Sequence, residues 1–287
     1  MKDLMNFEHR WKLLDWIDKS KFVWDNLSTN SNAMYLIEQN LDKINMVYMY
    51  GNKSEWAVNL LSQNHTKIRW DWLSANPFAI RLLKKNIDKI DWNGLSSNPS
   101  KEAIYLLEKH LDISIAEEVC KINWFGLSCN PSAMHILEQN MDKIDWTALS
   151  CNPSAVYLLE QNQDKINWKW LSLNPNPEAI YLLEQNQDKI NWYDLSSNPS
   201  GIHILQQNMD NICWHNLSRN PSEWAIHLLK ENQDKIDWCA LSLNPSIFEL
   251  DYDFFKDRMN IIRDELLARS WHPSRFEEWC LHTDFVG

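Results

Sequence analysis

Glycine is scarce, with 5 in 287 residues. That excludes Gly-rich linkers and the backbone cradles that hold phosphates. No GxGxxG, P-loop, HExxH or GxSxG pattern occurs, so no reaction class is indicated and no cofactor is expected. Positive charge is also in deficit: 28 Lys and Arg stand against 39 Asp and Glu, a formal net charge of −11. A nucleic-acid partner calls for a basic face that this composition lacks, so none is expected. No run approaches the ~18 uncharged apolar residues that span a bilayer, and the N-terminal stretch has no apolar signal core, so no membrane partner is expected. The six cysteines, Cys120, Cys129, Cys151, Cys213, Cys239 and Cys280, include no CxxC. They read as reduced thiols rather than a disulfide framework or a zinc site. Cys129 and Cys151 occupy the same position of adjacent repeats and face the same side.

What is abundant is tryptophan, 17 in all, and most of it is periodic. Aligning the chain on the aromatic of an IxW signature places Trp24, Met46, Trp70, Trp92, Trp124, Trp146, Trp168, Trp192, Trp214 and Trp238 in register, and these define units one to ten. Leu follows three residues later in nearly every unit, which puts both side chains on one helical face. The Asp or Asn before the aromatic (Asp91, Asn123, Asp145, Asn167, Asn191, Asp237) is a good N-cap, so a first helix of one to two turns is expected. Asn-Pro then opens a second helix, with Pro at the position where a missing N–H costs nothing. Its body, as in Ala155, Val156, Leu158 and Leu159, carries one apolar stripe. The closing Asn (Asn40, Asn64, Asn86, Asn140, Asn162, Asn186, Asn208, Asn232) suits a left-handed C-cap. An Ile such as Ile144 or Ile166 leads into the next unit as a plug between layers.

Neither helix is long enough to persist alone, since isolated helices below ~12 residues are marginal in water. Their apolar faces can be covered only by neighbouring units. The expected fold is therefore all-α: a right-handed-type α-solenoid of about ten two-helix repeats of roughly 22–24 residues, drawn out as a rod. Residues 1–23 form an N-terminal cap, 24–246 the tandem helical repeats, and 247–287 a C-terminal helical cap containing the amphipathic segment FFKDRMNIIRDELLARSW. A buried Trp contributes a large apolar area, and its truncation is expected to cost ~3–5 kcal/mol.

Departures from the repeat carry their own expectations. Two extra residues enter after the Asn-Pro step in NPSKEAI, NPNPEAI and NPSEWAI, lengthening the second helix at its start. A larger insertion near residues 111–119 extends the helix, bulges outward or marks a bend. Unit two has Met46 for Trp and Met49-Tyr50-Gly51-Asn52-Lys53 for LSxNP, which predicts a softer junction in unbroken register.

The unit IDWxxLSxNPxAIxLLExNxDK resembles the tandem repeats of a protein family encoded by giant DNA viruses of the mimivirus-like and phycodnavirus-like lineages. The segment Trp271-His272-Pro273-Ser274-Arg275, followed by Trp279-Cys280-Leu281, is similar to an end motif of the same proteins. The resemblance spans roughly residues 20 to 280. It implies a viral protein acting in the host cytoplasm during infection or carried in the virus particle, and it brings no catalytic residues.

Two rows of side chains are candidates for partner binding. The second helices align Tyr35, Asn59, Arg81, Tyr105, His135, Tyr157, Tyr181, His203 and His227. Tyr, His and Arg are favoured at interfaces, although they also cover the flank of a neighbouring layer with their polar tips in water. The pair after each aromatic is the most variable, as in Phe125-Gly126, Tyr193-Asp194 and His215-Asn216, and is either a specificity surface or a solvated face. Trp72 and Trp170 stand there where polarity is expected. The recurrent Ser-x-Asn steps read as a structural hydrogen-bond ladder, not as catalysis. The Asp-Lys pairs read as a solvated charged edge. His272 in the WHPSR segment has no partner in motif spacing and reads as structural. The expected function is a non-enzymatic scaffold that binds a viral or host protein through Tyr105, His135, Tyr157, Tyr181, His203, His227, Trp72 and Trp170. The alternative is a particle component that packs or self-associates through the array.

Overall fold

The computed structural model describes residues 11–63, 68–113 and 122–270. The insertion beyond Ile113, the closing Asn64 and the WHPSR segment lie outside these. The described chain is mostly helical, with two three-residue strands, β1 (Trp11–Leu13) and β2 (Phe248–Leu250). No helix is long and apolar enough to cross a membrane, among the described residues.

Each unit begins with a short helix on the aromatic, such as Trp124–Cys129 or Trp146–Ser150. The polar residue before it caps as expected: Asp145 accepts the Ala148 N–H at 2.9 Å and Asn123 the Gly126 N–H at 3.1 Å. Asn-Pro opens the second element, but through a 3-10 turn. Pro131–Ala133 precedes the α-helix Met134–Gln139, with Asn130 accepting the Ser132 N–H at 3.1 Å. Where two residues are added, the second helix is longer, as in Pro177–Glu184 and Glu223–Glu231. The second helix of unit four, Lys101–Ile113, includes the first residues of the insertion.

Three expectations are corrected. First, the closing Asn residues are not left-handed. Among the described residues no non-glycine φ is positive, and Asn140 and Asn162 sit near φ −135° and −134°. Each instead turns its carboxamide back to donate to a carbonyl four residues earlier, Asn140 to Ile136 and Asn162 to Leu158, at 2.8 and 2.9 Å. That satisfies an orphan helix-end acceptor with a side chain, so no backbone reversal is needed.

Second, the repeat tryptophans are half-buried. The fully buried layer consists of the Leu three residues on, including Leu27, Leu95, Leu127, Leu149, Leu171 and Leu241. The indoles pack against this core, and seven of them also meet a lysine: Trp24, Trp70, Trp124, Trp146, Trp168, Trp214 and Trp238. Lys165 Nζ lies 4.2 Å from the Trp146 ring centroid, Lys189 4.3 Å from Trp168 and Lys235 4.4 Å from Trp214. The Lys of the Asp-Lys pair is thus a lid on the preceding indole, held by cation–π attraction and stem packing. On Trp92 the place is taken by His110, stacked at 3.7 Å.

The third correction concerns the ends. Consecutive units are tied by two buried side chains. The Ser four residues after the aromatic accepts the N–H that precedes the next aromatic: Ser128 Oγ from Asp145, Ser150 Oγ from Asn167, Ser196 Oγ from Cys213, at 2.9–3.0 Å. The Asn two residues further on donates both carboxamide hydrogens to carbonyls of the unit before. Asn152 Nδ2 reaches Ser128 O and Asn130 O at 2.9 and 3.1 Å, and Asn174 Nδ2 reaches Ser150 O and Asn152 O at 3.0 Å each. Unit two keeps the scheme despite its altered sequence. Asn52 bonds Ser28 O and Asn30 O, and the Tyr50 hydroxyl, standing where other units have Ser, accepts the Arg69 N–H at 3.0 Å.

Unit one has no predecessor in sequence, yet Asn30 Nδ2 donates to Ser242 O and Asn244 O of unit ten at 3.3 and 3.0 Å. Val23 N–H donates to Ser242 Oγ at 3.2 Å, and Lys21 lies over Trp238 at 4.7 Å. The Asn bracket is the one that joins every other pair, and the Ser and Lys contacts match those at interior junctions such as that of units five and six. An open rod was expected, and the units instead run in a closed circuit. At the join, unit ten lacks a second helix. After Pro245–Ile247 the chain becomes β2, which pairs antiparallel with β1 in the register Trp11↔Leu250 and Leu13↔Phe248. Leu14 N–H extends the ladder to Ile247 O at 3.0 Å. The helix Tyr252–Ser270 then follows as one element.

Candidate functional site

The second-helix row lies on the outside of its helices because Ala and Leu at neighbouring positions take the core. Tyr105, Tyr157 and Tyr181 are all exposed, Tyr181 by 59%. His135, His203 and His227 are exposed too. Much of the row is engaged by the glutamate that ends the preceding unit's stripe. His135 Nε2 meets Glu108 Oε1 at 2.5 Å and His203 Nε2 meets Glu184 Oε1 at 2.5 Å. The Tyr157 hydroxyl donates to Glu138, and this bond to a carboxylate pushes its pKa up to about 12. His227 faces Glu223 of its own helix at 3.7 Å. In unit three Arg81 pairs with Glu55 of unit two at 3.2 Å. Four members of the row, Arg81, His135, Tyr157 and His203, thus form exposed rungs to the preceding unit, each worth little in water.

The variable pair after each aromatic forms a second face, on the first helices. Trp72 is 48% exposed and lines a cavity of about 380 Å³ with Tyr50, Lys53, Asp71, Asn76 and Pro77, between units two and three. Arg69 leans over the Trp72 ring at 5.9 Å and bonds Asp71 at 2.7 Å, holding that carboxyl below the usual carboxylate range. Trp170 is half-buried and meets Phe125 edge-on at 5.5 Å, reaching past unit six, where the equivalent residues are the small Thr147 and Ala148. Tyr193 stacks on His215 at 6.3 Å, and His215 Nδ1 pairs with Asp237 Oδ2 at 2.7 Å. Burial opposes ionisation of Asp237, but the Ala240 N–H and His215 outweigh it and hold the carboxyl low.

Asp194 breaks the pattern. It is 7% exposed at a position where other units carry Ala148 or Ala240, and its Oδ2 has no hydrogen-bond partner. Burial pushes its pKa up, against the pull of Lys169.

The structure does not bring the eight sequence candidates into one site. Tyr105, His135, Tyr157, Tyr181, His203 and His227 share the second-helix row. Trp72 and Trp170 lie on the first-helix face, four units apart. Phe125, Tyr193 and His215 join Trp170 on that face. Their signal was an aromatic ring at a position the repeat leaves free. No three His, Cys, Asp or Glu side chains are grouped to hold a metal ion, among the described residues. No family model matches the chain, and neither a curated protein nor a solved structure matches it.

Proposed function

We propose that the protein is a non-enzymatic interaction scaffold of viral origin: a closed, right-handed-type α-solenoid of about ten two-helix units that binds a viral or host protein. The observation that supports this most directly is the two ring pairs, Phe125 with Trp170 and Tyr193 with His215, at repeat positions with no scaffold duty. Rings that the fold does not require and leaves partly in water are what an interface uses as anchors. The Tyr and His row of the second helices offers a separate polar, hydrogen-bonding surface. On this reading the protein works in the infected host cell and has no need of nucleic acid or lipid.

Affinity capture from infected-cell lysate tests the reading, with quantitative mass spectrometry of what is retained. Wild type, Trp170→Ala with Tyr193→Ala, and Tyr157→Ala with Tyr181→Ala and His203→Ala are compared. A protein held by wild type and lost with the first variant supports the aromatic face. Equal retention by all three removes both rows as the site. Retention dominated by nucleic acid and abolished by salt overturns the reading altogether.

A further inference from the structure

Cys129 ends the first helix of unit five, and Cys151 follows the first helix of unit six. Their sulfurs lie 3.6 Å apart, and both residues are half-buried, within reach of small solutes. We infer that Cys129 and Cys151 are a redox-responsive site, oxidised by hydrogen peroxide to a disulfide that staples unit five to unit six.

The backbone at this junction is already set for a cross-link. A disulfide needs Cβ atoms ~3.5–4.5 Å apart. The equivalent positions of units one and two carry Thr29 and Gly51, and a Cβ placed on Gly51 would lie 3.7 Å from the Thr29 Cβ. The two junctions are built alike. Asn52 brackets Thr29 through Ser28 O and Asn30 O at 2.9 and 3.1 Å, and Asn152 brackets Cys129 through Ser128 O and Asn130 O at the same 2.9 and 3.1 Å. The ladder that joins the units therefore holds this pair of positions at bonding range, and only here do both carry cysteine. Cys213 and Cys239 sit before and after the aromatics of units nine and ten, at positions the ladder does not bring together.

The environment also divides the roles. The two sulfurs share one S–H, donated by Cys151 while both are thiols; once Cys151 ionises, the Cys129 S–H turns to it, which draws the Cys151 pKa down and, with burial, pushes the Cys129 thiol up. The Cys151 thiolate attacks one peroxide oxygen. An S–O bond forms, the O–O bond breaks, and the departing hydroxide takes a proton to become water. Cys129 then loses its proton as its sulfur attacks the sulfenic sulfur. The S–S bond forms, the S–O bond breaks, and a second water leaves. Two thiols and one peroxide give one disulfide and two waters, each sulfur losing one electron and each peroxide oxygen gaining one. A small thiol reverses the step by exchange.

The test uses the full chain, reduced and then treated with stoichiometric hydrogen peroxide. The expected result is an intact mass lower by two hydrogens, loss of two of the six labelled thiols, and a non-reduced peptide map joining Cys129 to Cys151. The urea midpoint rises on oxidation and returns on reduction. Cys129→Ser, a residue that units four and eight carry there as Ser97 and Ser197, keeps the helical signal but loses the cross-link and accumulates a trappable sulfenic acid on Cys151. A disulfide between other cysteines overturns the inference. So does a protein that keeps both thiols labelled while Cys239 oxidises, or a Cys129→Ser variant whose midpoint rises as much as wild type.

Discussion

The junction between units five and six and the join between units ten and one differ in every respect except their bonds. At the first, the chain runs through from one unit to the next, and the two units share a nearly regular sequence. At the second, 213 residues separate Asn26 Nδ2 from the Cys239 carbonyl it reaches at 2.9 Å, and unit ten has exchanged its second helix for a strand. Yet the Asn carboxamide spans two carbonyls in both, the Ser hydroxyl accepts the incoming N–H in both, and Leu27 is as completely buried as Leu149. Covalent continuity is therefore not what orders neighbouring units. The interface is carried by side chains, and units at opposite ends of the array make it as consecutive ones do.

The largest effect that can break this comparison comes from the buried leucines. Leu149→Ala is expected to cost about 3 kcal/mol in urea unfolding, and Leu27→Ala about the same. A free terminal unit would lose far less at Leu27, so unequal costs argue for an open stack in solution. Next come the carboxamides. Asn152→Ala and Asn30→Ala each strand buried carbonyls and a turn N–H, at about 2 kcal/mol. Hydrogen exchange then locates the damage: Asn30→Ala raises exchange in units one and ten first, and uniform exchange along the chain contradicts a distinct join. Smaller and opposite in sign is Asp194→Ala, which puts into unit eight the residue that units six and ten use. The native fold raises this carboxyl's pKa, so it binds the proton more tightly than the unfolded chain does. The cost of Asp194 is therefore absent when it is protonated, grows as pH rises from the ordinary carboxylate value towards the raised one, and is constant above it. The variant gains about 1 kcal/mol at neutral pH, and the gain fades in acid. A gain that persists in acid points to packing instead. The smallest effect belongs to the lysine lids. Lys165→Ala over Trp146 and Lys21→Ala over Trp238 each cost about 0.5 kcal/mol, and a silent Lys21 shows the join to be looser than the interior junctions.

Local rules were legible in the sequence. The N-caps at Asp91, Asn123, Asp145, Asn167, Asn191 and Asp237 and the lengthened helix at Pro177 follow from hydrogen-bond accounting within about ten residues, and the Ser-x-Asn ladder showed in its recurrence although its bonds cross to the neighbouring unit. The circuit was not legible. It depends on the sum of small rotations over ten units, and no residue encodes that sum. The lids on the indoles were missed because Asp-Lys looks like a surface pair when read along the chain, whereas the Lys answers to a ring one unit back. The candidate surface was legible in part. Exposure of Tyr105, Tyr157, Tyr181 and Trp72 follows from the helical period, but the meeting of Phe125 with Trp170 needs curvature that brings alternate units together.

Ten carboxamides linked in a loop have no first and no last member. A linear array of such units ends in two complementary faces, a donor face at one tip and an acceptor face at the other, and each tip recruits the next molecule until a filament grows. Here both tips are consumed by one another. Growth by head-to-tail addition would first have to pull Asn30 off Ser242 and Asn244 and unzip β1 from β2, so the same bonds that complete the fold also fix the length at which it stops.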